Sequence, residues 1–301
     1  MSGVELNLPL PSDPVAQMLH AFDLSDDQGA RTTEDIFVGP SQWMPHGRVF
    51  GGQVLAQALI AASRTVADRA VHSMHGYFLR PGDMDLPITF SVDRLRDGRS
   101  FGTRRVQAFQ KGEAIFSMIA SFQESDTGLE HQEAFPADIP DPETLPSAAE
   151  LIGDNPHPVA QYWAKARPFD IRHIPSAIYF TVESEQVAHQ AVWIKSLRPL
   201  PADQIIHTAA LAYASDYSIL ESIYRRHGIS WSHPGVKTAS LDHAMWFHRP
   251  AKVDEWLLYV QESPSAQGGR GLALGRIFNR GGQLVATVAQ EGMVRVPVMA
   301  K

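Results

Sequence analysis

Asp216 lies in the amphipathic run Ile205–Arg226 (IIHTAALAYASDYSILESIYRR), three or four positions from Ala212, Tyr213, Ile219 and Leu220. Helical spacing over that run puts its carboxylate on their apolar stripe. Burying a charge is costly unless something compensates it. Two kinds of compensation fit. The carboxylate can hold a water and accept its proton, the work of a general base. Alternatively, His207, Arg225 or Arg226 neutralises it in a structural ion pair, although none of them stands three or four residues away on the helix. Burial raises the pKa of such a group and hydrogen bonds to the carboxylate lower it, so the net direction stays open.

Few other residues suit the same chemistry. In Gln283–Gln290, alternation puts Leu284, Ala286, Val288 and Gln290 on one strand face. A buried Gln290 amide donates and accepts, which suits it to hold a water or a carboxylate, whereas strand-end glutamines are often exposed. Ser240 taken alone reads as a strand hydroxyl bonded to backbone; Thr238 shares its face and His243 falls on the opposite one. Gly51 and Gly52 open the first long helix, where unsatisfied N–H groups can meet a developing oxyanion, and tight helix–sheet contact explains the same glycines equally well. No Gly-x-Ser-x-Gly elbow surrounds Ser240, which argues against a serine nucleophile. The 13 histidines show no His-Glu-x-x-His or comparable spacing, so a catalytic metal is not expected. With no cysteine, disulfides, thiolate nucleophiles and Cys-ligated zinc are excluded. The glycines of Gly268–Gly275 do not run from a strand into a helix and make a poor nucleotide loop.

The elements that must carry these residues occur twice. Val15–Phe22 has helical periodicity and Asp35–Pro40 a strand pattern. The small-residue helix Gly51–Val66 is followed by strand-like runs at Val71–Arg80, Pro87–Leu95, Phe101–Phe109 and Ala114–Gln123, separated by Pro81-Gly82-Asp83, Asp97-Gly98 and Lys111-Gly112. After strand patterns at Phe169–Ile174 and Ala191–Leu197, the helix Ile205–Arg226 precedes Thr238–His248, Glu255–Glu262, Leu272–Asn279 and Gln283–Gln290. A long helix before a run of antiparallel strands, without βαβ alternation, is α+β. Small residues let a curved antiparallel sheet wrap closely around the helix, the arrangement of a hot dog fold, and two repeats make a double hot dog. The acidic, Pro-rich stretch between them reads as a linker. The expected division is residues 1–124, a linker at 125–165, and a second domain at 166–301 that carries Asp216, Ser240 and Gln290.

Composition agrees with a soluble globular chain of two such units: 301 residues, 44% hydrophobic and 20% charged. A net charge of -7 argues against a sequence-independent nucleic-acid binder. The clusters Arg94–Arg96–Arg99 and Arg104–Arg105 suit a phosphate only weakly and fit solvated strand ends better. The opening MSGVELNLPLPSDPV lacks a basic segment followed by an apolar one, and no run approaches the roughly 18 apolar residues that span a bilayer. A cytoplasmic location is the default, and homo-oligomerisation would be ordinary.

The motifs Val49-Phe50-Gly51-Gly52-Gln53-Val54, His75-Gly76-Tyr77-Phe78-Leu79-Arg80-Pro81-Gly82, Leu95-Arg96-Asp97-Gly98 and Ser121-Phe122-Gln123 resemble the acyl-CoA thioesterase II family. The resemblance continues through Ser215-Asp216, Ala239-Ser240-Leu241-Asp242-His243, Met245-Trp246-Phe247-His248-Arg249-Pro250 and Gln290-Glu291-Gly292, spanning nearly the whole chain. It implies a double hot dog enzyme that hydrolyses fatty acyl-CoA without a cofactor, through a water oriented by an Asp, a Thr and a Gln. Matched by motif, the Asp is Asp216 and the Gln is Gln290; Ser240 stands at the Thr position, keeping the hydroxyl and losing the methyl that restricts its rotamer. The resemblance also makes Gly51 and Gly52 contributors to the oxyanion or pocket backbone. Two alternatives remain: a hot dog enoyl-CoA hydratase, whose Asp–His pairing is not found around Asp216, and a non-catalytic acyl-CoA-binding module, encouraged only by Ser240.

Overall fold

A computed structural model describes residues 13–26 and 35–297; the opening residues 1–12, where a leader would be sought, lie outside the described residues. In chain order the elements are α1 (Pro14–Phe22), β1 (Ser25–Asp26), β2 (Asp35–Gly39), α2 (Gly51–Ser63), β3 (Ala70–Phe78), β4 (Ile88–Asp97), β5 (Phe101–Gln110) and β6 (Glu113–Gln123). Then follow α3 (Ala148–Ile152), α4 (Pro158–Gln161), β7 (Phe169–Ile174), β8 (His189–Ser196), α5 (Gln204–Ser215), α6 (Glu221–Arg226), β9 (Lys237–Ser240), β10 (Asp242–Phe247), β11 (Leu257–Gln267), β12 (Arg270–Asn279) and β13 (Leu284–Arg295).

The strands form one antiparallel sheet in the order β1-β2-β4-β5-β6-β3-β10-β13-β12-β11-β8-β7, with β9 on β13. The repeat read from the sequence is visible in this order. The path β2-β4-β5-β6-β3 matches β8-β11-β12-β13-β10 strand for strand, and the halves join where β3 pairs with β10, Met74 opposite Met245. Residues 52–62 of α2 are buried throughout, enclosed by sheet and neighbouring helix, and its two glutamines, Gln53 and Gln57, donate to the carbonyls of Pro40 and Ala21. It lies against β3, β4, β5 and β6 and against α5. Asp203 caps α5 by accepting from Ile205 N at 3.2 Å.

Two breaks in regularity differ from the sequence reading. The expected helix Ile205–Arg226 is interrupted: α5 ends at Ser215, residues 216–220 form turns, and α6 resumes at Glu221. Ser215 Oγ donates back to Ala212 O at 2.9 Å, a bond that bends helices, and the Asp216 side chain is held by groups outside the helix. The second break is in β13, whose register shifts where Ile277 opposes Ala286 and Phe278 opposes Leu284. The bulge sends Leu284 to the outer cluster of Trp193 and Phe278, while Ala286, Val288 and Gln290 stay inside. The Pro-rich stretch contains α3, α4 and a 3-10 turn at Pro142–Thr144, and it covers that outer cluster with Phe135, Ile139 and Leu145.

Three arginines of the two clusters are occupied: Arg94 pairs with Asp35 at 2.8 Å, Arg105 with Asp93, and buried Arg104 with Asp97 at 2.6 Å. Among the described residues no helix is long and apolar enough to cross a membrane, and no group of three His, Asp or Glu is placed to hold a metal ion.

Candidate functional site

Three of the residues singled out in the sequence meet at one carboxylate oxygen. Asp216 is the C-cap of α5, Ser240 the last residue of β9, and Gln290 an inward residue of β13. Ser240 Oγ donates to Asp216 Oδ1 at 3.0 Å, and Gln290 Nε2 lies 3.0 Å from the same oxygen and 2.9 Å from Ser240 Oγ. Antiparallel pairing of β9 with β13, Ser240 opposite Gly292, holds the hydroxyl and the amide at this separation. None of the cations considered as structural partners reaches Asp216. His207 accepts from Val253 N, Arg225 binds Gln190 and Ser184, and Arg226 donates to Gln186 O.

Gly51 and Gly52 join the site through the packing of α2 on α5. A Cβ on Gly52 would lie 2.3 Å from Tyr213 O, and one on Gly51 2.6 Å from Asp216 Oδ2, so only glycine admits this approach. The Gly52 N–H donates to the Asp216 carboxylate. Gly51, first in the helix, has no intrahelical acceptor for its N–H. Burial pushes the Asp216 carboxyl up to about 6, against hydrogen bonds from Gln290, Ser240 and Gly52 that favour the charged form.

His243 belongs to the same network, contrary to the strand-face expectation. Leu241 separates β9 from β10, so alternation does not carry across, and His243 is fully buried. Its Nδ1 meets Gln290 Oε1 at 2.5 Å and its Nε2 meets Ser215 Oγ at 3.0 Å. The Gln290 amide nitrogen is committed to Asp216 and Ser240, so its oxygen faces the ring, Nδ1 carries the proton, and the bare Nε2 shares the Ser215 hydroxyl proton with Ala212 O. Burial holds the imidazole down to about 4, against the Gln290 hydrogen bond, which keeps it neutral and in that tautomer. Counting back from inward Met245 along β10 finds His243 on the inner face; counting forward from Ser240 misses it. Thr238, the other hydroxyl on the Ser240 face, is taken by Tyr224 OH.

Asp216 and Ser240 open onto a cavity of about 760 Å³ whose wall includes Gly51, Phe78, Phe116, Leu220 and Trp231. Its lining is largely apolar and aromatic, with a few convergent polar groups, as expected of a site for a small molecule with a long apolar part.

Comparison with known proteins bears on the whole chain. Residues 167–293 match the family model described as "Acyl-CoA thioesterase", and residues 39–123 match "Acyl-CoA thioesterase N-terminal domain". The chain is 38% identical to "Acyl-CoA thioesterase 2" of Haemophilus influenzae, covering 94% of this chain and 99% of that one. It is 43% identical to the solved acyl-CoA thioesterase II TesB2 of Mycobacterium marinum, with a TM-score of 0.75 over 93% of this chain and 99% of that one. A protein of unknown function with a hot dog fold from Alicyclobacillus acidocaldarius shares the architecture at 22% identity and a TM-score of 0.75, over 94% of this chain and 99% of that one.

Proposed function

Because the chain belongs to the acyl-CoA thioesterase family and is a thioester hydrolase with a double hot dog fold, we propose that it hydrolyses fatty acyl-CoA to free fatty acid and CoA through a water held at Asp216, Ser240 and Gln290. The observation that carries this is the convergence of Ser240 Oγ and Gln290 Nε2 on Asp216 Oδ1, at 3.0 Å each, on the wall of an apolar cavity. Two donors on one oxygen hold the carboxylate in a single orientation, which leaves Oδ2, beside Gly51, to take the proton of an attacking water. A thioester is already activated. The remaining demand is charge stabilisation at the tetrahedral intermediate, and the N–H of Gly51 at the start of α2 is the donor proposed to meet the oxyanion. Gly52 supports the carboxylate instead, since its N–H is engaged there.

In this scheme water adds to the thioester carbon, Asp216 takes the water proton and passes it to the departing CoA sulfur, and collapse of the intermediate expels CoA thiol. Within it, residues 1–124 and 166–301 serve as two domains joined by 125–165, with the base supplied by the second. Thiol release from acyl-CoA, followed with a thiol reagent, tests the proposal. Loss of enoyl absorbance without thiol release would favour a hydratase. Binding of acyl-CoA without turnover, unchanged by Asp216→Asn, would favour a non-catalytic module.

A further inference from the structure

Three guanidinium groups are buried among the described residues, and they are not equivalent. Arg104 is saturated by Thr65, Asp97 and the carbonyls of Thr65, Arg96 and Thr103. Arg225 is saturated by Gln190, Ser184, Ser176 and the Glu183 carbonyl. Arg167, 7% exposed, has one long hydrogen bond, Nη1 to Tyr179 OH at 3.4 Å, and no carboxylate among the described residues within 4.0 Å. Its Nε is buried without a partner; Nη2, also without one, is not sealed from open space. The group is held by ring faces, 4.7 Å above Tyr217 and 5.9 Å from Trp163 and from Tyr179. Aromatic faces compensate a desolvated cation only partly, and they leave its in-plane donors free.

Arg167 is also the buried arginine that lines the cavity of Asp216 and Ser240, and it stacks on the residue next to Asp216. A planar guanidinium with an unused Nη2, fixed by three rings in a wall that also carries Arg48, Arg80 and Lys237, suits a charge-assisted bond to an oxyanion.

We propose that Arg167 is a recognition site for an oxyanion carried by the substrate. Two parts of an acyl-CoA supply that chemistry, a carboxylate at the far end of the acyl group and a phosphate of CoA. The assignment rests on the acyl-CoA thioesterase reading and adds to it a contact that discriminates among thioesters.

The test compares kcat/KM, by thiol release, for the full-length protein and its Arg167→Met variant. The substrates are an acyl-CoA, the ω-carboxyacyl-CoA of equal chain length, and the corresponding acyl-pantetheine, which has no phosphate. If the carboxylate is the partner, Arg167→Met lowers the ratio of ω-carboxyacyl-CoA to acyl-CoA about ten-fold or more and leaves acyl-CoA to acyl-pantetheine unchanged. If a phosphate is the partner, the second ratio falls and the first does not. Should the Met variant fail to fold, Arg167→Lys keeps charge and stem but loses the fork, and the same ratios decide. Turnover with neither ratio moved overturns the Arg167 site alone. No thiol release from any substrate by the unaltered protein overturns the thioesterase reading, and this assignment with it.

Discussion

Asp216→Asn separates the chemical role of this carboxylate from its cost to the fold. With its folded pKa raised from 3.8 to about 6, ionised Asp216 opposes folding by about 3 kcal/mol, from roughly 1.36 kcal/mol per pKa unit. The sign follows from proton counts. Between about pH 4 and 6 the folded chain binds the proton that the unfolded chain has lost, so stability falls as pH rises through that window and levels off above it. Asparagine never ionises, so the variant gains on the parent by up to about 3 kcal/mol across the same window. An amide nitrogen now turned towards Ser240, Gln290 or Gly52 N–H offsets about 1–3 kcal/mol of that at every pH. Turnover moves the other way: kcat falls about 10²–10⁴-fold with the loss of a general base, and the rise of kcat/KM through pH 6 disappears. Urea unfolding of both proteins from pH 4 to 8, alongside thiol release over pH 5 to 9, measures the two effects. A stability difference that does not change with pH, or a variant within three-fold of parental turnover, would refute the reasoning.

Other outcomes follow from the same contacts. Ser240→Ala removes a donor to Asp216 Oδ1 and lowers kcat about 10–10²-fold, whereas Ser240→Thr keeps the hydroxyl and holds turnover within about three-fold, both read by thiol release. His243→Ala frees the Gln290 amide to rotate and lowers kcat about ten-fold with little change in KM; His243→Asn restores part of it by donating from a similar position. The His243→Ala deficit stays constant from pH 6 to 9, because the ring is neutral throughout, and a deficit that appears only on one side of pH 7 would count against a positioning role. Gly52→Ala drives a Cβ to 2.3 Å from Tyr213 O and destabilises the fold by about 3 kcal/mol, read as a lowered denaturation midpoint; an unchanged midpoint would show that α2 and α5 separate easily.

How much of this was legible in the chain varies with the kind of signal. The repeat and its helix-then-strands order are periodic features, and they appear in the sheet as β2-β4-β5-β6-β3 against β8-β11-β12-β13-β10. Single irregularities hide from periodicity. The turn after Ser215, the bulge between Leu284 and Ala286 and the break at Leu241 each reset the phase, so the inward position of His243 and the outward one of Leu284 could not be counted from a distance. Gln290 escaped the error because it shares the stretch after the bulge with Ala286 and Val288, whereas Leu284, at the start of the same count, lies before it. Arg167 lies between a helical turn and β7, outside any regular element, and no spacing rule points to a cation there.

The same irregularities explain why one chain holds one proposed site although the fold repeats. In the second repeat the C-cap of the long helix is Asp216, and the turn that follows releases its side chain towards β9 and β13. In the first repeat the C-cap is Arg64, whose guanidinium turns outward to Leu24 O, and the next residue, Thr65, is spent on holding the buried Arg104. A cation and a saturated guanidinium thus stand where a second base would be needed. Placing a carboxylate there would not create one: Thr65→Asp would pair with Arg104 and have its pKa lowered, the reverse of the setting that raises Asp216. The first repeat contributes what its sequence retains, Gly51 and Gly52, whose missing side chains let the end of the other helix and its carboxylate come within reach of backbone N–H groups.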